Sequence, residues 1–385
     1  MVVTNGSARI TVCFPFAGDA IGGSHISVEG LLRGLDRSLY HPIVVPEIVD
    51  GRIARFFAGT EQAADPGDRA RPFVPGEAFG LRKAARTLGG ILPRVRFLRH
   101  NRVDIVHVND GRTSANWALP ARLAGARLVW HNRGDPRSLG LRVVAPLLAD
   151  RVVSVSEFAL PSPGLWSAAG KADVIHSPFD TDVHVDRDAA RRALVAELGI
   201  DPKTVILGYF GSFVPRKRPL LFVDLVARLR SLDLPVVGVM FGAARVPEMD
   251  RALRARIEET GTTQSVRLMG YRTPGVTWIA ACDQLVVPAV GEPFGRTLVE
   301  AMLVGTPVVA ARSGGNVEAL RDDIGMLATP DDVDALARCC VGLARNPVAA
   351  AAMAARAQDD ARTRFSEARH CAMVGDVYER MMRGR

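Results

Sequence analysis

The sequence lacks the marks of several common protein classes. No uninterrupted apolar run reaches the ~18 residues that a membrane-spanning helix needs. The opening "MVVTNGSARITVCFPF" has no basic run followed by a long apolar segment, so no secretory leader is expected. Five cysteines (Cys13, Cys282, Cys339, Cys340 and Cys371) are scattered without a C-x-x-C pair. That number and spacing argue against a zinc knuckle and against a disulfide framework, so reduced thiols and a cytoplasmic setting are the expectation. Aromatics make up only 6% of the chain and no reader motif appears, so nucleic acid is not an expected partner.

Familiar catalytic motifs are missing as well. No G-x-G-x-x-G follows the first strand-like run, which argues against a dinucleotide dehydrogenase. "SAAGKAD" fails as a phosphate loop both at its first glycine and after its lysine. There is no H-E-x-x-H and no G-x-S-x-G. "DTD" at Asp180 to Asp182 lies at a join between domains, so a metal-binding role is not expected there.

What remains describes a globular protein, with 48% hydrophobic and 23% charged residues. A length of 385 residues is long for one core, so two domains are expected. The formal net charge of +8 favours an anionic partner such as a phosphorylated small molecule or an anionic bilayer. Short β-branched runs alternate with amphipathic stretches: "ITVCFPF" precedes "HISVEGLLRGLD", and "DIVHVND" precedes "ANWALPARLAG". This is strand-helix alternation of the open, parallel-sheet kind. A second series starts at "TVILGYF", after which Pro219 opens a helix where a first turn tolerates proline. The fold class is α/β, with two doubly wound Rossmann-like domains over residues 1–180 and 181–365 and a final amphipathic helix over 366–385.

The stretch "GEPFGRTLVEAMLVGTPVVA" carries the densest chemistry. Gly295 permits a tight turn, and the helix that follows begins with backbone N–H groups that suit a phosphate. Glu300 lies about a turn and a half into that helix. Its two acceptor oxygens suit a vicinal diol such as a ribose. Glu292 lies on the other side of the phosphate position, where a second polyol fits, and a phosphate flanked by two polyols is a nucleotide sugar. Taken alone, the two glutamates also read as solvated residues of a helix and a surface loop.

The neighbouring residues decide between these readings. "EPFGRTLVEAMLVGTPVVAARSGGNVEAL" resembles the donor-binding signature of retaining glycosyltransferases with the GT-B fold, most closely family four. "GGSHISVEGLLRGL", "LVWHNRGD", "DRVVSVSE", "GSFVPRKRP" and "RLMGY" are similar to further stretches of that family. The resemblance implies two domains facing a central cleft, with the last helix crossing back to the first domain. It implies sugar transfer from a nucleoside diphosphate sugar to an acceptor hydroxyl with retention, without a metal or any other cofactor. Glu292 would contact the transferred sugar, helped by the amides of Phe294 and Gly295. The amides of Thr297 and Leu298 would meet the diphosphate, and Glu300 the ribose. Lys217 would neutralise the leaving diphosphate, Gly22 and Gly23 would let backbone approach the phosphates, and His131 would lie near the sugar. The catalytic set implied is therefore His131, Glu292 and Lys217.

Two departures stand out. Ser212 occupies a place where the family usually has arginine, and Arg216 or Arg218 could supply that charge. Ser177 and Pro178 stand where the family more often has asparagine and glycine. On the acceptor side, His25, His107 and Asn109 are candidates, beside Asp110. Tyr271 either stacks on the base or serves as a packing aromatic, and the other histidines, His370 included, read as surface or packing residues. The acceptor itself would be a small molecule, a glycan or a lipid-linked species. Between Arg82 and Arg102, seven basic residues interleave with apolar ones. That pattern fits either a solvated helix or a peripheral contact with the anionic inner face of a membrane. A nucleotide-sugar epimerase or hydrolase, or a silent nucleotide-sugar binding protein, are the competing readings of the whole.

Overall fold

A computed structural model describes residues 9–67, 88–321 and 323–383. They form two compact units, Met1–Pro178 with Glu367–Arg385, and Phe179–Ser366. The join falls between Pro178 and Phe179.

The first unit is built on six parallel strands: β1 Ile10–Phe16, β2 Tyr40–Pro46, β3 Ile105–Val108, β4 Arg127–Asn132, β5 Arg151–Ser154 and β6 Ala172–Val174. Their order is β2-β1-β3-β4-β5-β6. Helices α1 Gly23–Gly34, α2 Ile91–His100 and α3 Gly111–Ala124 cover the sheet together with the C-terminal helix Glu367–Met382. Successive side chains of a strand point to opposite faces, and the sequence uses both. Val12, Phe14 and Phe16 of β1, Ile105 of β3 and Val129 of β4 pack with α1 and the C-terminal helix. Cys13, Val106, Val108, Leu128 and Trp130 pack on the opposite face, against α2 and α3. The same alternation turns His107 and His131 towards the C-terminal helix.

The basic stretch needs a correction here. Arg82, Lys83 and Arg86 lie outside the described residues. Within α2, Arg94 does not contribute to an exposed basic face. It is 7% exposed, and its Nε and Nη2 each lie 2.9 Å from an oxygen of Asp65. Its guanidinium also sits 5.3 Å from the ring centre of Trp117. A buried charge needs such a partner, and the helical period that buries Val95 and Leu98 carries Arg94 inward with them. Arg96 and Arg99 remain exposed, beside an exposed Leu92.

The second unit has its own six-stranded parallel sheet: β7 Val205–Phe210, β8 Val236–Phe241, β9 Val266–Gly270, β10 Gln284–Val287, β11 Val308–Ala311 and β12 Met326–Ala328. The order is β12-β11-β10-β7-β8-β9. Its helices include α4 Arg187–Leu198, α5 Pro219–Arg230, α6 Pro247–Glu259, α7 Arg296–Leu303, α8 Val333–Arg345 and α9 Pro347–Arg364. The doubly wound Rossmann-like architecture expected from the alternating pattern is present in both units.

Strand order places the sites. In open α/β sheets, ligands bind beyond the carboxyl ends of the strands where the order reverses. In the second unit that reversal falls between β7 and β10, and in the first between β1 and β3. The loop after β7 carries Arg216 and Lys217, and the loop after β10 carries Glu292 and Gly295. The loop after β1 carries Gly22 and Gly23, and β3 ends at His107. Among the described residues, no helix is long and apolar enough to cross a membrane.

Candidate active site

In the second unit, backbone contacts first bring two loops together. The amide of Val290 donates to the carbonyl of Arg216 at 3.0 Å, tying the loop after β10 to the loop after β7. Gly295 has φ +80° and caps α7 from the left-handed region, which glycine reaches without steric cost. The loop is also held from below. Gly315 N donates to Glu292 O at 2.7 Å, and Gly291 N donates to Ser313 Oγ at 3.0 Å. Buried Asn316 donates to Ala289 O at 3.3 Å and to Ala311 O at 3.1 Å.

On that frame the charged side chains converge. Arg216 Nη1 lies 2.5 Å from Glu292 Oε2, and Lys217 Nζ lies 3.7 Å from the same oxygen. Lys217, Glu292, Gly295 and Thr297 line one depression with Tyr209 and Pro288. Tyr209 is pushed up by burial and then by the Glu292 charge, so its phenol stays protonated. Two cations beside a helix start make a strongly anion-attracting place. Arg218 does not join it. Its Nε and Nη2 bond to Asp331 at 2.6 and 3.0 Å. Of the two arginines that could stand in for the one absent at Ser212, the geometry puts Arg216 at the site and turns Arg218 away.

The remaining donor-side candidates spread around this centre. Glu300 lies on α7 with Oε1 3.7 Å from Arg296 Nη2. The Phe294 side chain is buried between Phe179 and Phe365, with ring centres 6.2 and 5.4 Å away, and so anchors the loop. Leu298 is fully buried, and its amide donates to Gly295 O at 3.1 Å. That bond corrects the expectation that this amide is aimed at a phosphate, and it leaves Thr297, on the depression, as the better placed of the pair. Tyr271 follows β9 and is 84% exposed, so it is not a packing aromatic.

The first unit holds a buried polar cluster of its own. His131 is 2% exposed, and its Nδ1 lies 3.0 Å from His107 Nε2. His107 Nδ1 lies 2.6 Å from Tyr378 Oη, on the C-terminal helix. Burial, and next the nearby Arg133 charge, hold both imidazoles well below their usual range, so both rings are neutral. The acceptor-side reading of His107 is therefore corrected: with no exposed surface and both ring nitrogens engaged, it supports His131 and cannot meet a substrate. Asn109 is similarly committed, donating to His107 O at 3.2 Å and accepting from Arg133 Nε at 3.2 Å. His25 stacks on Phe16 and accepts at Nδ1 from Gly22 N at 3.1 Å. Gly22 and Gly23 are exposed at the start of α1, and a side chain at Gly22 would meet nothing within 4 Å.

Three features escaped the sequence reading. Arg133, two residues beyond His131, reaches Asn109, Ser177 and His131. His370 is buried against His131, with ring centres 6.2 Å apart. The loop Ser313–Asn316 supports Glu292 from beneath. Arg133 and that loop lie inside the stretches quoted above, but a solvated loop arginine and a supporting one look alike in a string of residues.

Comparison with known proteins bears on the family and the fold. Residues 204–346 match the family model described as glycosyl transferases group 1. The chain is 34% identical over 255 residues to the D-inositol 3-phosphate glycosyltransferase of Mycobacterium avium (strain 104), covering 63% of this chain and 59% of that protein. It is 26% identical over 349 residues to the enzyme of the same name from Jonesia denitrificans, covering 82% and 81%. The chain thus spans about three fifths of the length of the mycobacterial relative. Among solved structures, HepE of Anabaena in complex with UDP and glucose superposes with a TM-score of 0.81 at 22% identity, over 96% of this chain and all of that one. The sucrose-phosphate synthase of Thermosynechococcus elongatus superposes with a TM-score of 0.77 at 17% identity, over 98% and 100%. These similarities establish a shared fold.

Proposed function

We propose that this chain, whose residues 204–346 match the group 1 glycosyltransferase model and whose two units share the GT-B fold, transfers a sugar from a nucleoside diphosphate sugar to an acceptor hydroxyl. The observation that carries the reading is the pairing of Arg216 and Lys217 with Glu292 at the start of α7, where strand order reverses. Breaking the bond between the anomeric carbon and the diphosphate leaves negative charge on the diphosphate. Lys217, Arg216 and the first amides of α7 stabilise that charge without a metal. Glu300 binds the ribose, Glu292 the transferred sugar, and Tyr271 offers its exposed face to the base.

Transfer proceeds with retention in this reading. The acceptor oxygen bonds to the anomeric carbon on the face the diphosphate leaves, and the acceptor proton goes to the departing phosphate oxygen. HepE's complexes with UDP and with UDP-glucose support a uridine diphosphate sugar as the donor. The group transferred in this reading is a hexosyl or N-acetylhexosaminyl unit, and the D-inositol 3-phosphate glycosyltransferase relatives support a small, phosphorylated polyol as acceptor. That choice suits the net charge of +8. The protein works in the cytoplasm, and a lipid-linked acceptor would be met through exposed Arg96 and Arg99 at the inner membrane face.

The test is a thermal-shift screen of nucleoside diphosphate sugars, followed by transfer to inositol phosphates with the product's anomeric configuration read by NMR. A donor-specific rise in Tm and a retained product are expected. An inverted product overturns the retaining mechanism. Isomerised or free sugar from donor alone replaces transfer with epimerisation or hydrolysis, and donor binding without turnover under any condition leaves a binding protein. Equal, negligible co-sedimentation with anionic and neutral vesicles removes the membrane contact.

A further inference from the structure

In the first unit, an arginine that can only donate touches a ring nitrogen that is also bonded to a second imidazole. Arg133 Nη2 lies 3.3 Å from His131 Nδ1. A guanidinium has no acceptor, so His131 Nδ1 must offer its lone pair. His107 Nε2, 3.0 Å from the same atom, must then carry a proton and donate it. In a neutral ring this leaves His107 Nδ1 as an acceptor, and Tyr378 Oη at 2.6 Å becomes its donor. The proton of His131 is forced onto Nε2, which is buried and has no hydrogen-bond partner among the described residues.

We propose that Tyr378, His107 and Arg133 are positioning residues of a one-way hydrogen-bond relay that holds His131 with its proton on Nε2, presented as a fixed donor to a ligand oxygen. Tyr378 donates to His107, and His107 donates to His131. Arg133 sets the direction, because Tyr378 can donate or accept and a neutral imidazole can take either tautomer, whereas Arg133 has one polarity. Asn109 Oδ1 and Ser177 Oγ hold the guanidinium in place at 3.2 and 3.3 Å.

Burial explains why the relay can hold a tautomer. Both imidazoles are kept neutral by desolvation and by the Arg133 charge. An unmade bond in a buried site costs far more than one in water. A base would need a lone pair at Nε2, and the relay removes it. His131 so arranged binds an oxygen and does not deprotonate an acceptor, in keeping with a departing phosphate that takes the proton. That consequence rests on the proposed sugar transfer, whereas the tautomer does not.

The experiment is long-range proton–nitrogen correlation NMR on the full chain with 15N-labelled histidine at pH 7.5, with His131 assigned by the loss of its signals in His131→Gln. The expected result is protonated Nε2 and bare Nδ1 in the native protein and in Arg133→Lys. Arg133→Gln, whose carbonyl can accept, and Arg133→Leu should move the proton partly or wholly to Nδ1. A native His131 protonated at Nδ1, or an Arg133→Leu tautomer identical to the native one, overturns the relay. In parallel, kcat with a nucleotide-sugar donor should fall roughly 10- to 100-fold in Arg133→Gln with KM for the donor little changed, and recover in Arg133→Lys. An unchanged kcat in a variant whose tautomer has moved overturns the donor role of Nε2. Absence of sugar transfer in the native protein would overturn the proposed function while the NMR arm still decides the relay.

Discussion

Arg216 and Glu292, 76 positions apart in sequence, meet with Nη1 and Oε2 2.5 Å apart, and Lys217 Nζ stands 3.7 Å from the same oxygen. The cations that would receive a diphosphate are thus already held by an internal carboxylate. Under the proposed function, Glu292 keeps them close before the donor arrives and shares them once it binds.

This arrangement separates three neighbouring basic residues. Lys217→Ala should lower kcat about 10²- to 10³-fold, as expected for a group that stabilises charge formed in the transition state. Arg216→Ala should cost about tenfold. Arg218→Ala should stay within about twofold, because Arg218 is bonded to Asp331 in an exposed pair of little energetic weight. Steady-state kcat and KM for all three decide this; damage from Arg218→Ala equal to that from Lys217→Ala would refute it.

The two glutamates should differ in kind. Glu300→Ala should raise KM for the donor about tenfold, the cost of a lost charge-assisted bond to the ribose. Glu292→Gln should lower kcat and also tighten binding of the nucleoside diphosphate product several-fold, since Arg216 and Lys217 lose their internal competitor. Calorimetric titration of the product into both variants reads the second effect. Weaker binding in Glu292→Gln would mean that the carboxylate does not compete.

A backbone prediction follows from Gly314, which has φ +60°. A Cβ there would sit 2.5 Å from Glu292 O and 2.8 Å from Glu292 N. Gly314→Ala should therefore destabilise the second unit by ~2 kcal/mol or more and weaken donor binding. Gly342 lies in α8, and a Cβ there would meet nothing within 4 Å. Gly342→Ala should stabilise the protein by about 0.5–1 kcal/mol. Urea unfolding of the two variants gives both signs.

Stability should also fall in mild acid. His107 and His131 have native pKa values held far below their unfolded value of about 6.5 by burial and then by Arg133. Above pH ~6.5 both rings are neutral in both states, and nothing is lost. Below it the unfolded chain takes up protons that the native rings refuse, so stability drops, with a limiting slope of about 1.4 kcal/mol per pH unit per ring. The urea midpoint should therefore fall steadily as pH drops from about 6.5 towards 5. Comparing unfolding midpoints in urea at pH 7.5 and 5.0 tests this, and a flat profile would contradict it.

Much of the geometry around Gly295 was legible because it is local. Gly295, the first turn of the helix after it and Glu300 fall within six consecutive residues, so helix geometry alone relates them. Lys217 was found through the similarity of its loop to a known one. The His107 assignment failed for a different reason: the end of a strand beside a reversal in strand order is where substrates bind, and also where a second strand and the C-terminal helix can seal a side chain from solvent.

The sequence by itself determined the parallel α/β class, the helix start at Pro219 and the turn at Gly295, since these follow from period, capping and φ preference over a few residues. Tertiary structure alone decided which of Arg216 and Arg218 faces Glu292, that Arg94 is buried on Asp65, and that Tyr378, His107 and His131 form a chain. Those choices depend on strand order and on where the C-terminal helix docks. Both bring together residues far apart in the chain, and no local pattern records the distance between them.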